Sequence, residues 1–197
     1  KRILEFFQRR KDEKNRKIIA TFDEYLVKKQ QTLGFELSEE QKKAVELINS
    51  GEKTLFLIGY AGTGKSTSSR AILELLEEIM SYDDIMTIAL SGIASQRISD
   101  TTGYNSSTIQ SLLVKHKEKD FFPYKAILLD EASMVNSVTF YQIISKIDDD
   151  TIFIIVGDDG QLPAIGAGNI LADAIKYELA PICKLTKIYR QNENQAI

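Results

Sequence analysis

One cysteine and one histidine occur among the 197 residues. A lone Cys183 excludes an internal disulfide and suits a reducing compartment, so a cytoplasmic location is expected. It stands beside Ile182 in a strand-like run and reads as packed rather than nucleophilic. His116 lies between Lys115 and Lys117 with no partner cluster. It reads as a surface residue, not as a metal ligand or catalytic base. No apolar run approaches the length of a membrane span, no signal-peptide pattern opens the chain, and no internal repeat is visible. A strong charge of either sign is also lacking. The net charge is −3, so composition alone gives no support for nucleic-acid binding. What remains is ordinary for a soluble globular protein, with 43% hydrophobic and 27% charged residues. The length suits one sizeable α/β domain, or one domain with an appendage.

The small net charge hides an uneven split. Residues 1–34 carry ten Lys/Arg against five Asp/Glu, whereas residues 35–197 carry fifteen against twenty-three. Residues 1–32 read as helical, with Ile3, Leu4, Phe6 and Phe7 followed by Ile18, Ile19, Phe22 and Leu26, and Gly34 as the stop. The cluster Arg9, Arg10, Lys11, Lys14, Arg16 and Lys17 reads as a solvated helix face or linker, with phosphate contact as the alternative. Residues 1–34 are thus expected to form a basic helical segment ahead of a domain over 35–197. The first residue is Lys1, not Met, and the expectation is a piece of a longer polypeptide.

From residue 35 the pattern alternates. Ser38 and Gln41 have capping-box spacing for a helix to Asn49. Strand-like runs at 54–58, 85–90, 125–130, 151–157 and near 181–185 are separated by helix-like segments at 66–80, 92–99, 107–116, 136–146 and 168–178. The strands are continuous apolar runs such as Ile152-Phe153-Ile154-Ile155-Val156. Such runs suit strands covered on both faces, hence an α/β fold with a mostly parallel sheet and helices on both sides. Asp148, Asp149 and Asp150 lie between a helix and a strand and read as a solvated turn.

Gly59-Tyr60-Ala61-Gly62-Thr63-Gly64-Lys65-Ser66 matches the phosphate-loop pattern in full, and Thr67 continues into the following helix. A strand, a glycine turn and a helix N-terminus make an anion site from backbone N–H groups and the helix dipole. Lys65 would reach the β- and γ-phosphates of a nucleoside triphosphate, and the Ser66 hydroxyl would ligate Mg²⁺. Some 65 residues later the apolar run Leu128-Leu129 ends in Asp130 and Glu131. Carboxylates at a strand's C-terminal end lie on the ligand side of an open α/β sheet. Asp130 would hold the metal and Glu131 would orient and polarise the attacking water. A third apolar run ends in Gly157-Asp158-Asp159-Gly160-Gln161-Leu162-Pro163. Gln161 both donates and accepts hydrogen bonds, as sensing a γ-phosphate requires, although this segment alone reads rather as an ordinary Asp/Gly/Pro turn. Arg190, after the last strand-like run, would place a guanidinium beside the γ-phosphate, or be a plain surface residue.

Gln41 together with GYAGTGKS, ALSGIAS, STIQSLL, LLLDEASM, GDDGQLPAIGAGN and LTKIYRQ, in this order, resembles the RecD-like branch of superfamily 1 DNA helicases, including the Dda type. The resemblance spans about residues 37–191. It implies a RecA-like first motor domain, ATP as cofactor with Mg²⁺, and 5′ to 3′ translocation on single-stranded DNA. It implies that Gln41 reads the adenine, that Gln161 couples γ-phosphate state to DNA, and that Arg190 is an arginine finger. It also implies DNA contacts from Ser91, Gly92 and Ser95, and from Thr108 and Gln110. Here the sequence departs from the family, with Ile93 in place of a basic residue and Gln110 in place of histidine. One phosphate-neutralising charge is therefore missing, and a lower DNA affinity or a shallower salt dependence than in the family is expected. Tyr60 replaces a common proline or glycine in the phosphate loop. A second RecA-like domain is expected after Arg190, so the 197-residue chain alone is expected to turn over ATP slowly and not to unwind. The alternatives are a P-loop ATPase acting on RNA or protein, and a nucleotide-dependent module of a nuclease–helicase complex.

Overall fold

The computed structural model describes residues 2–158, 160 and 170–188. Among the described residues there are six parallel strands, all but β3 built from the apolar runs: β1 (Thr54–Gly59), β2 (Ile85–Ala89), β3 (Ser106–Thr108), β4 (Ala126–Leu129), β5 (Ile152–Gly157) and β6 (Ile182–Leu185). They lie in the order β3-β2-β4-β5-β1-β6. The register pairs Leu57 with Val156 and with Cys183, so β1 sits between β5 and β6. Every residue of β1, β2, β4 and β5 is buried. Period-two alternation then divides each strand between two cores. Phe56, Ile58, Phe153 and Ile155 enter one cluster, and Leu55, Leu57, Ile154 and Val156 enter the other.

Among the described residues eight α-helices cover these faces. On the first face lie α1 (Arg2–Lys11), α6 (Ile109–Lys115), α7 (Ser137–Ile144) and α8 (Ile170–Lys176), through Phe7, Leu112, Phe140 and Leu171. On the second lie α2 (Phe22–Leu33), α3 (Glu39–Asn49), α4 (Lys65–Leu76) and α5 (Gly92–Thr102), through Leu26, Val45, Leu73 and Ile98. The expected capping box is present: Ser38 Oγ accepts from Gln41 N–H, and the Gln41 carboxamide oxygen accepts from Ser38 N–H. Among the described residues no helix is long and apolar enough to cross a membrane.

The N-terminal segment corrects the sequence reading. Residues 1–32 do not form one helical stretch, because residues 12–21 separate α1 from α2. The backbone there is engaged elsewhere: Asn15 N–H donates to Gly51 O at 2.8 Å and Ile18 N–H to Asn49 O at 3.0 Å. Gly51 has φ 102°, and a β-carbon there would lie 2.0 Å from Asn15 O, so only glycine fits. Helix α2 does end at Gly34 in the left-handed conformation. Helix α1 is core rather than solvated linker. Phe7 is 1% exposed and packs on Phe56 and Phe140 with ring centroids 5.5 and 6.2 Å apart. Arg10, assigned from sequence to a solvated basic face, is buried.

Two further corrections concern α6. Ser107 and Thr108, expected in a helix, belong to β3, whose polar three-residue run lacks the apolar signature of the other strands. His116, expected on the surface, is buried at the end of α6, edge-on to Phe122 and Tyr124, and neither ring nitrogen has a hydrogen-bond partner among the described residues. Burial, aided by Lys119, Lys115 and Lys146, holds its pKa below the usual histidine value. A depressed histidine pKa means that the unfolded chain binds the proton more readily. Stability is therefore expected to fall as pH drops below about 6.5. In urea unfolding between pH 8 and pH 5, His116→Phe should lose less stability than the parent chain; equal losses would refute the assignment.

Candidate functional site

Strand β1 delivers the phosphate loop to the C-terminal edge of the sheet, and α4 begins at Lys65. Gly62 and Gly64 both have φ 82°, a conformation that costs a β-carbon-bearing residue about 1 kcal/mol or more. Gly59 is also required, since its β-carbon would lie 2.4 Å from Thr63 Oγ1 and 2.8 Å from Leu185 O. The Thr63 hydroxyl donates to Tyr60 O at 2.7 Å and closes the loop on itself. Lys65 Nζ donates to Gly59 O at 2.6 Å and to Tyr60 O at 2.9 Å, and lies 3.8 Å from the Asp158 carboxylate. Partial burial lowers the Lys65 pKa, opposed by Asp158 and Asp130. An ammonium so placed, with its stem along the loop, is poised to move onto an incoming phosphate.

Strands β4 and β5 bring acids to the same edge. Asp130 and Glu131 follow β4, Asp158 follows β5, and all three line one cleft of about 290 Å³ with Ala61, Gly62, Lys65, Ser66 and Arg97. Asp130 Oδ1 accepts the Glu131 N–H at 2.9 Å. Burial, with Glu131 alongside, pushes the Asp130 pKa up, and a bound cation would favour its ionised form. Glu131 sits in the left-handed region at φ 52°, which is uncommon for a non-glycine residue and costs of order 1 kcal/mol. Its carboxylate pairs with the Arg97 guanidinium. Ser66 is exposed at the cleft. The oxygens of Ser66, Asp130 and Asp158 beside a lysine are a donor set suited to a hard divalent cation bound with phosphates. Lys65→Ala should weaken ATP binding at least tenfold, because a phosphate loses its charge-assisted partner. A fluorescent ATP analogue reads the change, and an unaltered Kd would contradict it.

The structure disposes the remaining sequence candidates as follows. Gln41 is 4% exposed. Its carboxamide is spent on Ser38 N–H and on Gly64 O at 3.4 Å, so it ties the start of α3 to the phosphate loop. Thr67 follows Ser66 on α4. Tyr60 is half exposed, and its ring lies where a β-carbon on Gly160 would meet it at 2.8 Å. Gln161 and Arg190 lie outside the described residues. Ser91 caps α5 by accepting from Ala94 N–H, and Thr108 caps α6 by accepting from Ser111 N–H. Ser91, Gly92 and Gln110 are exposed, and Ile93 is 86% exposed. Parallel pairing of β2 with β3 puts the starts of α5 and α6 side by side. Ser95 is different: it is buried and its hydroxyl is shared with Ser106 Oγ at 2.9 Å, so it fastens α5 to β3.

Two cleft residues escaped the sequence reading. Asp158 carried the same signal as Asp130, an acid closing an apolar run, but the neighbouring Gln161 drew the assignment. Arg97 had no local signal. It reaches the cleft because β2, which leads into α5, pairs directly with β4.

Residues 36–197 match the AAA domain family. The ATP-dependent RecD2 DNA helicase of Deinococcus radiodurans is 32% identical over 176 residues, covering 86% of this chain and 24% of RecD2. The ATP-dependent DNA helicase RRM3 of Saccharomyces cerevisiae is 29% identical over 190 residues, covering 82% and 26%. Among solved structures, the Candida albicans Pif1 helicase aligns with TM-score 0.58 at 24% identity over 81% of this chain and 41% of that one. Bacteroides Pif1 bound to single-stranded DNA aligns with TM-score 0.55 at 23% identity over 80% and 43%. The chain spans about a quarter of the length of these two sequence relatives, and the structural likeness shows a shared RecA-like helicase fold. With the family match covering most of the chain, from Glu36 onward, the chain belongs to the AAA domain family, and it is similar in sequence to the RecD2 type of DNA helicase.

Proposed function

We propose that this chain is the ATP-hydrolysing first motor domain of a DNA helicase that moves 5′ to 3′ on single-stranded DNA. The observation that carries the reading is the meeting of Lys65 and Ser66 with Asp130, Glu131 and Asp158 in one cleft at the C-terminal sheet edge. The loop N–H groups and Lys65 bind the triphosphate. Ser66 and Asp130 hold Mg²⁺, which neutralises phosphate charge when bound. Glu131 takes the proton of the attacking water, and Gln161 and Arg190 supply γ-phosphate contacts. The exposed starts of α5 and α6, with Ser91, Gly92, Thr108 and Gln110, take the DNA backbone through helix N-termini and hydroxyls. A second RecA-like domain of the same polypeptide forms the other wall of the cleft. Relatives of which this chain spans about a quarter support that wall. A relative described as the RecD subunit of a RecBCD enzyme supports a nuclease–helicase assembly as a further setting.

Strand displacement by the full-length polypeptide tests this reading. Duplexes with a 5′ single-stranded tail should be unwound in the presence of ATP, and duplexes with a 3′ tail should not. Preference for the 3′ tail would overturn the polarity. Activity on RNA alone would favour an RNA-directed ATPase instead.

A further inference from the structure

We propose that Arg97 is a positioning residue that latches Glu131 when DNA is absent and releases it when a DNA phosphate reaches the start of α5. The inference rests on the helicase reading above. Three observations meet in it. The Arg97 guanidinium is ion-paired with the Glu131 carboxylate, the group assigned to take a proton from water. A carboxylate held this way has its acceptor oxygen occupied, which opposes proton abstraction. Glu131 is largely buried at the cleft and held in a left-handed backbone conformation, whereas the Arg97 side chain is 61% exposed. The mobile partner of the pair is therefore the arginine.

The third observation is where Arg97 sits. It lies four residues after Ile93, on the same face of α5. Ile93 is the most exposed large apolar residue among those described, at the end of the helix assigned to DNA. Helix α5 is anchored along its other side by Ala94, Ile98 and Thr102, and by the Ser95–Ser106 hydrogen bond to β3. An ion pair that exposed is weak. A phosphate offers the same guanidinium a bidentate partner of higher charge and can take it over. DNA binding would then free Glu131 without any contact between DNA and the nucleotide.

The test is ATP turnover by the full-length polypeptide with and without single-stranded DNA, for the parent, Arg97→Gln and Arg97→Lys. Removing the latch should raise DNA-free turnover about five- to tenfold, a usual size for coupling between sites. DNA-saturated turnover and ATP affinity should stay within about twofold. Arg97→Lys, which keeps the charge without the fork, should fall between. Glu131→Gln should silence both backgrounds. Unchanged or lower DNA-free turnover in Arg97→Gln would overturn the latch, as would a loss of ATP affinity, which would make Arg97 a phosphate ligand. Melting temperatures close to the parent's show that a changed rate is not lost folding, and Arg97→Lys serves if the glutamine variant is unstable. A parent enzyme indifferent to DNA would overturn the helicase reading and the release step together, whereas a raised rate in Arg97→Gln would still support the latch itself.

Discussion

Replacing Glu131 with glutamine leaves ATP bound and lowers its turnover by about 10²- to 10⁴-fold, the usual contribution of a general base. Glutamine is close in size and can keep a hydrogen bond, but it cannot take a proton. The residues assigned to binding are untouched: Lys65 and the loop N–H groups are proposed for the phosphates, and Asp130 and Ser66 for the metal. The variant therefore separates two roles that the cleft places side by side. Single-turnover hydrolysis and equilibrium binding of ATP, measured on the same preparation, give both numbers. Hydrolysis at the parent rate would remove Glu131 from the base role and turn attention to Asp158, the other acid in the cleft.

Arg10→Ala is expected to destabilise the fold by about 3–5 kcal/mol, the scale of stranding the partners of a buried charge. Arg10 is 4% exposed. Its Nε donates to Thr54 Oγ1 at 2.9 Å, and its terminal nitrogens donate to the carbonyls of Lys53 at 2.9 Å, Asp148 at 3.0 Å, Asp149 at 3.1 Å and Thr151. These acceptors stand where β1 and β5 begin, at the sheet edge opposite the Lys65 cleft. Burial lowers the guanidinium pKa to about 10, with Asp149 opposing the shift. Truncation would leave four carbonyls and a hydroxyl short of a donor in a place water reaches poorly. Lysine cannot replace the fork, so Arg10→Lys should also lose stability. The neighbouring Arg9, more than half exposed and 3.4 Å from Asp149, is the control, and Arg9→Ala should change stability by less than about 0.5 kcal/mol. Urea unfolding at neutral pH measures both. An Arg10→Ala chain as stable as the Arg9→Ala chain would show that the cage is not structural.

That Lys65, Ser66, Asp130 and Glu131 meet in one cleft was legible because the signals are local. Glycines at forced positive φ, a lysine at a helix start and acids closing apolar strands are all written in adjacent residues, and a parallel sheet then brings each strand end to one edge. Legibility failed where meaning came from distant partners. The Arg9–Lys17 run looked solvated because charge hid Phe6 and Phe7, yet Arg10 finds its acceptors some forty and some hundred and forty residues away. Strand β3 is too short and polar to announce itself, and only its pairing with β2 reveals it. Ser95 looked like a DNA ligand by position, but its hydroxyl belongs to Ser106. The partners of the Gln41 carboxamide, Ser38 N–H and Gly64 O of the phosphate loop, were legible only in part, since the loop lies some twenty residues away.

The central claim is that this cleft hydrolyses ATP under the control of single-stranded DNA. Its most direct test is steady-state ATP turnover by the full-length polypeptide, titrated with single-stranded DNA, beside the Lys65→Ala variant. The account predicts turnover that rises with DNA and saturates in the parent, and none in the variant. Turnover that ignores DNA, or that survives loss of Lys65, would contradict it.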